Sequence, residues 1–161
     1  GLTSNPGDLL EKDRFPVHQS KRGGKYTYHG PGQRIVYPLI NLNKREKDIG
    51  KYISNLETVI IGTLRHIGIK GETNKDHHGI FVRKKNNQSY KIASIGCRFK
   101  NWISYHGFSI NLNPKLEHYS GINPCGLDNK NVTSIEDLGK NVTKTELDIA
   151  IKENLVKIFN I

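Results

Sequence analysis

Three observations predict an α+β fold. Segments rich in Tyr, Thr, Val and Ile come first, a long run with apolar residues at helical spacing follows, and further strand-like segments precede a last, capped helix. Turn-forming breaks at Gly23-Gly24, Gly30-Pro31-Gly32 and Gly68 separate these segments. No repeat or low-complexity tract divides the chain, so residues 1–161 read as one domain. A chain of 161 residues buries roughly 70% of the surface its unfolded form exposes, enough for a core.

The elements follow in order. The turn-rich start (Asn5, Pro6, Gly7) reads as a loop feeding a strand near Val17. Tyr26, Thr27 and Tyr28 favour a strand over residues 25–29. Residues 33–42 read as the next strand, with Ile35, Tyr37 and Leu39 on one face and Pro38 marking a bulge or an edge. The clearest helix spans residues 48–67, where Ile49, Ile53, Leu56, Ile60, Thr63/Leu64 and Ile67 share a face and Gly68 ends it. Residues 70–78 are a polar loop. Residues 80–83 and 90–99 form a hairpin through Lys84-Lys85-Asn86-Asn87-Gln88, and residues 104–112 make another strand. Thr143 and Glu146 form a capping box that opens the final helix, which buries Leu147, Ala150, Ile151, Leu155 and Phe159.

The formal net charge of +10 calls for an acidic partner, unless it reflects only the general abundance of Lys, Asn and Ile. Its basic residues form two small clusters, Lys44/Arg45/Lys47 and Arg83/Lys84/Lys85, without interleaved aromatics, which disfavours nucleic acid. No apolar run approaches the ~18 residues of a membrane span, and no signal peptide is visible. Two cysteines make no disulfide scaffold, so a reducing, cytoplasmic setting is expected. The chain has no Met and opens on Gly1, so something is expected to be missing from the front, one processed residue or a larger piece.

Candidate chemistry gathers at few places. Arg22-Gly23-Gly24 and His29-Gly30-Pro31-Gly32-Gln33 let backbone approach a ligand, with Arg22 as an anion partner; the alternative is a pair of ordinary turns. Neither nucleotide-loop glycine pattern is present. Cys125, between Pro124 and Gly126, sits on a stiff turn suited to an exposed nucleophile, the commoner alternative being an inert thiol, whereas Cys97 in an apolar strand reads as packing. Lys91 opens a strand of small and apolar residues; pointing inward, it would be driven toward neutrality or pair with an acid such as a thiol, and the alternative, which the residues alone favour, is a solvated strand end. His77-His78 has no further ligand at metal spacing, so no metal is expected.

These residues carry a resemblance. Arg22-Gly23-Gly24-Lys25-Tyr26-Thr27-Tyr28-His29-Gly30-Pro31-Gly32-Gln33 resembles the first motif of the lipoyl(octanoyl) transferases, and Lys91-Ile92-Ala93-Ser94-Ile95-Gly96 the second. His106-Gly107-Phe108-Ser109-Ile110-Asn111 is similar to the third and Pro124-Cys125-Gly126 to the fourth, in the same order and spacing. The resemblance implies the fold of biotin and lipoate protein ligases, a central mixed sheet with packed helices, here lacking an N-terminal part. It implies transfer of an octanoyl group from acyl carrier protein to a lysine of lipoyl domains, in 2-oxoacid dehydrogenase complexes and the glycine cleavage H protein. Cys125 would carry the acyl group as a thioester, with Lys91 as its ammonium partner and base. Residues 22–29, Ser94, Ile95, Gly96, Gly107, Phe108 and Ser109 would line the acyl channel. Phe108-Ser109 replaces a commoner Leu-Ala and is expected to tighten it. No cofactor is implied. The rival readings are an ATP-dependent lipoate or biotin ligase, which needs no thiol, and a truncated, non-catalytic binding module.

Overall fold

A computed structural model describes residues 1–75, 77–123 and 131–161. Five strands form one sheet: β1 (Gln33–Val36), β2 (Gly71–Thr73), β3 (Ile80–Arg83), β4 (Ser89–Lys100) and β5 (Ile103–Asn111), in the order β1-β5-β4-β3-β2. All four pairings are antiparallel. Among the described residues the only parallel element is a single bridge, Lys91 to Val132, so the expected mixed sheet is almost wholly antiparallel here.

Two helices cover one face. In α1 (Ile49–His66), Asp48 caps the start by accepting from the Lys51 N–H at 2.9 Å. Its end closes with bonds from Gly68 N to Arg65 O and from Ile69 N to Leu64 O, the two-bond C-terminal motif. α2 (Lys144–Phe159) starts at the expected capping box: Glu146 N donates to Thr143 Oγ1 and Thr143 N to Glu146 Oε2. Leu56, Val59, Ile60 and Leu64 of α1 meet Leu147, Ile151 and Phe159 of α2 over Ile80, Val82, Ala93 and Ile110 of the sheet.

Four expectations need correction. No strand forms at Val17 or over residues 25–29; that stretch runs without sheet pairing across the sheet's other face. β1 stops at Val36, because Pro38 supplies no N–H. Its carbonyl instead accepts from Ser104 Oγ (2.7 Å) and Tyr52 OH (3.0 Å). The polar loop at 70–78 contains β2, too short to show alternation. On α1, Ile49 is 44% exposed, while Tyr52 and Val59, outside the expected stripe, are buried.

Candidate active site

The sheet face opposite the helices is roofed by loops, and a cavity of about 570 Å³ lies beneath them, within the usual range for a small-molecule site. Its floor is the central pair β4–β5. Ser94, Gly96, Gly107 and Ser109 face it in two registered pairs, Ser94 opposite Ser109 and Gly96 opposite Gly107. Arg22 and residues 24–29 form a wall, joined by Val17, Ile35 and Ile122.

Gly96 explains how the loop lies so close. A Cβ there would stand 2.9 Å from Arg22 Cδ and 3.4 Å from Gly23 O. Gly23 itself does not line the cavity. Its N–H donates to Cys97 O at 2.9 Å, pinning the loop to β4, while Arg22 Nη1 donates to Gly23 O at 2.8 Å. Ile95 and Phe108 border the cavity but pack with the core. Phe108 is 3% exposed and belongs to the core cluster as well as to the cavity border.

Lys91 enters the cavity through a break in strand alternation. Phe81 pairs with Lys91 and Ile80 with Ala93, so β4 carries one extra residue, Ile92, against a single step of β3. Both Ile92 and Ala93 are in the core. This bulge puts Lys91 and Ser94, three residues apart, on the cavity side. Lys91 is 4% exposed, with Nζ 5.8 Å from the centre of the Phe81 ring. Its backbone is fixed on the other edge, where Lys91 N donates to Asn131 O (2.8 Å) and Thr133 N to Lys91 O (3.0 Å). Cys125 lies outside the described residues.

Cys97 packs against the core and donates weakly to Gly107 O at 3.8 Å. Burial pushes its thiol up to about 12, leaving almost no thiolate near neutral pH. His29 stands at the rim, its Nδ1 3.4 Å from Gln33 Oε1. Burial of the ring, then the neighbouring Arg22 and His106 charges, lower its pKa against the opposing pull of the Gln33 contact, which favours a neutral imidazole at pH 7.

Several supports were not legible in the sequence. Gln33, last residue of the first motif, donates to Asn111 Oδ1 (3.0 Å) and Tyr119 OH (2.6 Å), and its Oε1 accepts from Gly30 N at 3.0 Å. Tyr119 OH donates in turn to Asn111 Oδ1 at 2.9 Å, which ties the loop after residue 29 to the end of β5. Tyr28 OH shares a 2.7 Å hydrogen bond with His118 Nδ1, and Phe15 packs on both rings. Lys25 pairs with the buried Asp8 at 3.4 Å. Most of them join residues far apart in sequence, such as Gln33 and Asn111 (78 apart) or Tyr28 and His118 (90 apart), where periodicity carries no signal.

Charge converges where the sequence shows it dispersed. Lys21, Arg98, Lys100 and Tyr105 surround a surface recess at the outer end of the β4–β5 hairpin. Arg98 and Lys100 continue the face of Ser94 and Gly96 along β4. The Lys44/Arg45/Lys47 cluster reaches the same end: Leu42 N donates to Trp102 O at 2.7 Å, and Lys47 Nζ lies 5.9 Å from the Trp102 ring centre. Lys21, Arg98 and Lys100 have no acidic partner among the described residues.

The sheet is clad by helices on one face and carries, on the other, a loop-roofed cavity of small-molecule size lined in part by a buried lysine. Residues 5–156 match the family described as the lipoyl protein ligase A/B catalytic domain. The octanoyltransferase of Bartonella tribocorum is 49% identical over 99% of this chain and 68% of its own length. That of Wolbachia pipientis is 48% identical over 99% of this chain and 77% of its own. The bi-partite lipoate protein ligase of Thermoplasma acidophilum superposes with a TM-score of 0.69 at 13% identity, over 87% of this chain and 56% of that one, which shows a shared fold. The chain belongs to the lipoyl protein ligase A/B catalytic-domain family and, within it, to the octanoyltransferases, which are acyltransferases.

Proposed function

We propose that this octanoyltransferase takes its octanoyl group as a thioester from an acyl carrier protein, holds it on Cys125, and passes it to a lysine of a lipoyl domain. Lys91 accepts the Cys125 proton, and the thiolate attacks the donor carbonyl. The carrier sulfur leaves with the bonding pair and takes that proton from the Lys91 ammonium. The acceptor amine then attacks the octanoyl-Cys125 carbonyl, the carbon–sulfur bond breaks, and the amine's proton passes through Lys91 to the Cys125 sulfur. Thioester to amide runs downhill, so no ATP is consumed.

The observation that carries this reading is the bulge that turns Lys91 into the cavity. The described chain leaves the cavity wall at Ile122 and resumes at Asn131, whose carbonyl bonds the Lys91 N–H; Cys125 lies in sequence between the two. The uncompensated cations at the β4–β5 end suit an acidic donor protein. The test is the intact mass of the full chain after incubation with octanoyl-acyl carrier protein and no ATP. One octanoyl group should appear, survive Cys97→Ala and vanish in Cys125→Ala. An adduct in Cys125→Ala, or one formed only with ATP, would refute the reading.

A further inference from the structure

The side chain of Lys91 rests on the first residues of β3, and its seat has an unusual shape. Gly79, immediately before β3, has φ +118°, a conformation L side chains rarely adopt. A Cβ built there would stand 2.5 Å from Ala93 O, 2.7 Å from Lys91 Cε and 3.3 Å from Lys91 Nζ. The missing side chain is therefore the space that the end of the lysine occupies. Two residues on, Phe81 is 1% exposed, shares the face of its partner Lys91, and holds its ring under the ammonium at 5.8 Å. Ile80 and Val82, between and beyond, belong to the core on the opposite face.

We propose that Gly79 and Phe81 are positioning residues for Lys91, Gly79 by leaving room for its stem and Phe81 by presenting a ring to its ammonium. The proposal rests on the reading of Lys91 as the base of the transfer. Carbon atoms in contact stand about 3.5–4.0 Å apart, so a methyl at Gly79 drives Cε back by about 1 Å. A misplacement of that size costs up to about a hundredfold in rate. Because the stem and not the acyl chain is displaced, the loss falls on kcat.

The test is a double-mutant cycle in the full chain, read as kcat and KM with octanoyl-acyl carrier protein. Gly79→Ala should lower kcat about ten- to a hundredfold with KM for the donor within about twofold. In a Lys91→Ala background the same change should lower kcat no further, because its effect on the reaction passes through the lysine, while the strain at φ +118° and the contact with Ala93 O lower the thermal midpoint in both backgrounds. Losses that multiply in the double variant, or a Gly79→Ala enzyme with wild-type kcat beside an inactive Lys91→Ala, would overturn the positioning role alone. A Lys91→Ala enzyme with wild-type kcat would overturn the reading beneath it. Should Gly79→Ala not fold, Phe81→Leu takes its place in the cycle: a kcat loss absent from the Lys91→Ala background supports the seat, and a multiplying loss refutes it.

Discussion

The two faces of the sheet are covered by different material. On one, α1 and α2 bury a continuous apolar layer in which Leu56, Ile60, Leu64, Ile92, Ile110 and Leu147 are fully enclosed. On the other, the loop over residues 14–31 and the short 3-10 helix Leu116–Gly121 arch over a cavity and are held down by particular bonds, such as Gly23 to Cys97, Tyr28 to His118 and Gln33 to Tyr119. The first face is a packing problem solved by shape and burial. The second leaves space unfilled and keeps polar groups beside it, and it is the face to which the proposed chemistry belongs. The bulge at Ile92 is where the two meet, giving one more residue to the core and turning the lysine before it to the site.

Substitutions should separate the faces. The largest effect belongs to Lys91→Ala, which should lower kcat about 10²- to 10⁴-fold, the range of general acid–base catalysis, in steady-state assay. Its thermal midpoint should stay near that of the parent chain. Leu56→Ala should do the reverse. Truncating a fully buried leucine costs about 2–5 kcal/mol in denaturant titration, while kcat of the folded fraction stays unchanged. Loss of activity in the folded Leu56→Ala protein would show that the faces are not separable.

Two smaller effects sharpen the contrast. Reversing Arg98 and Lys100 to Glu should raise KM for acyl carrier protein about tenfold at low salt, spare a small octanoyl thioester donor, and lose its effect as ionic strength rises. An equal effect on both donors would place the defect in the cavity. Asp137 tests the strap that bonds Lys91. Burial would raise its pKa, but hydrogen bonds from Lys84 and Thr133 at 2.6 and 2.5 Å, with the Lys84 charge, outweigh it, and the value falls below the ordinary 3.8. A depressed carboxylate contributes stability that is present above its unfolded pKa and lost as pH falls through the folded one. Asp137→Asn should therefore lower stability by a few tenths of a kcal/mol at pH 7, since the pair is partly solvated. The difference should fade below about pH 4 in titrations across that range.

The helix-covered face was the more legible in the sequence. Helical spacing located α1 to within a residue at its start and end, and the Thr143–Glu146 pair located the start of α2. Tyr52 and Val59 escaped because the stripe was drawn through Ile49 and Ile53, and an aromatic whose hydroxyl reaches Pro38 O does not announce its burial. The loop-covered face was legible only as motif strings. These named Lys91, the residue 22–29 loop and the paired glycines, and the cavity draws most of them together. Strand propensity misplaced Tyr26 and Tyr28, which pack against a small apolar cluster, Tyr28 with its ring on Tyr119. Gly79 falls between the polar loop expected over residues 70–78 and the strand expected from Ile80 and carries no signal there, because its importance comes from an atom of Lys91, twelve residues away.

The central claim, that the lysine aimed by the bulge serves Cys125, is tested most directly by the pH dependence of thiol alkylation. Iodoacetamide modification of the full chain, followed by mass on the peptide containing Cys125, reports that thiol alone; Cys97, held up near 12, stays silent in the same experiment. An ammonium beside a thiol stabilises the thiolate, so the wild-type rate should rise at a lower pH than in Lys91→Ala, and Lys91→Arg should restore most of the shift while leaving acyl transfer to the acceptor amine slow. Superimposable alkylation profiles for wild type and Lys91→Ala would contradict the account.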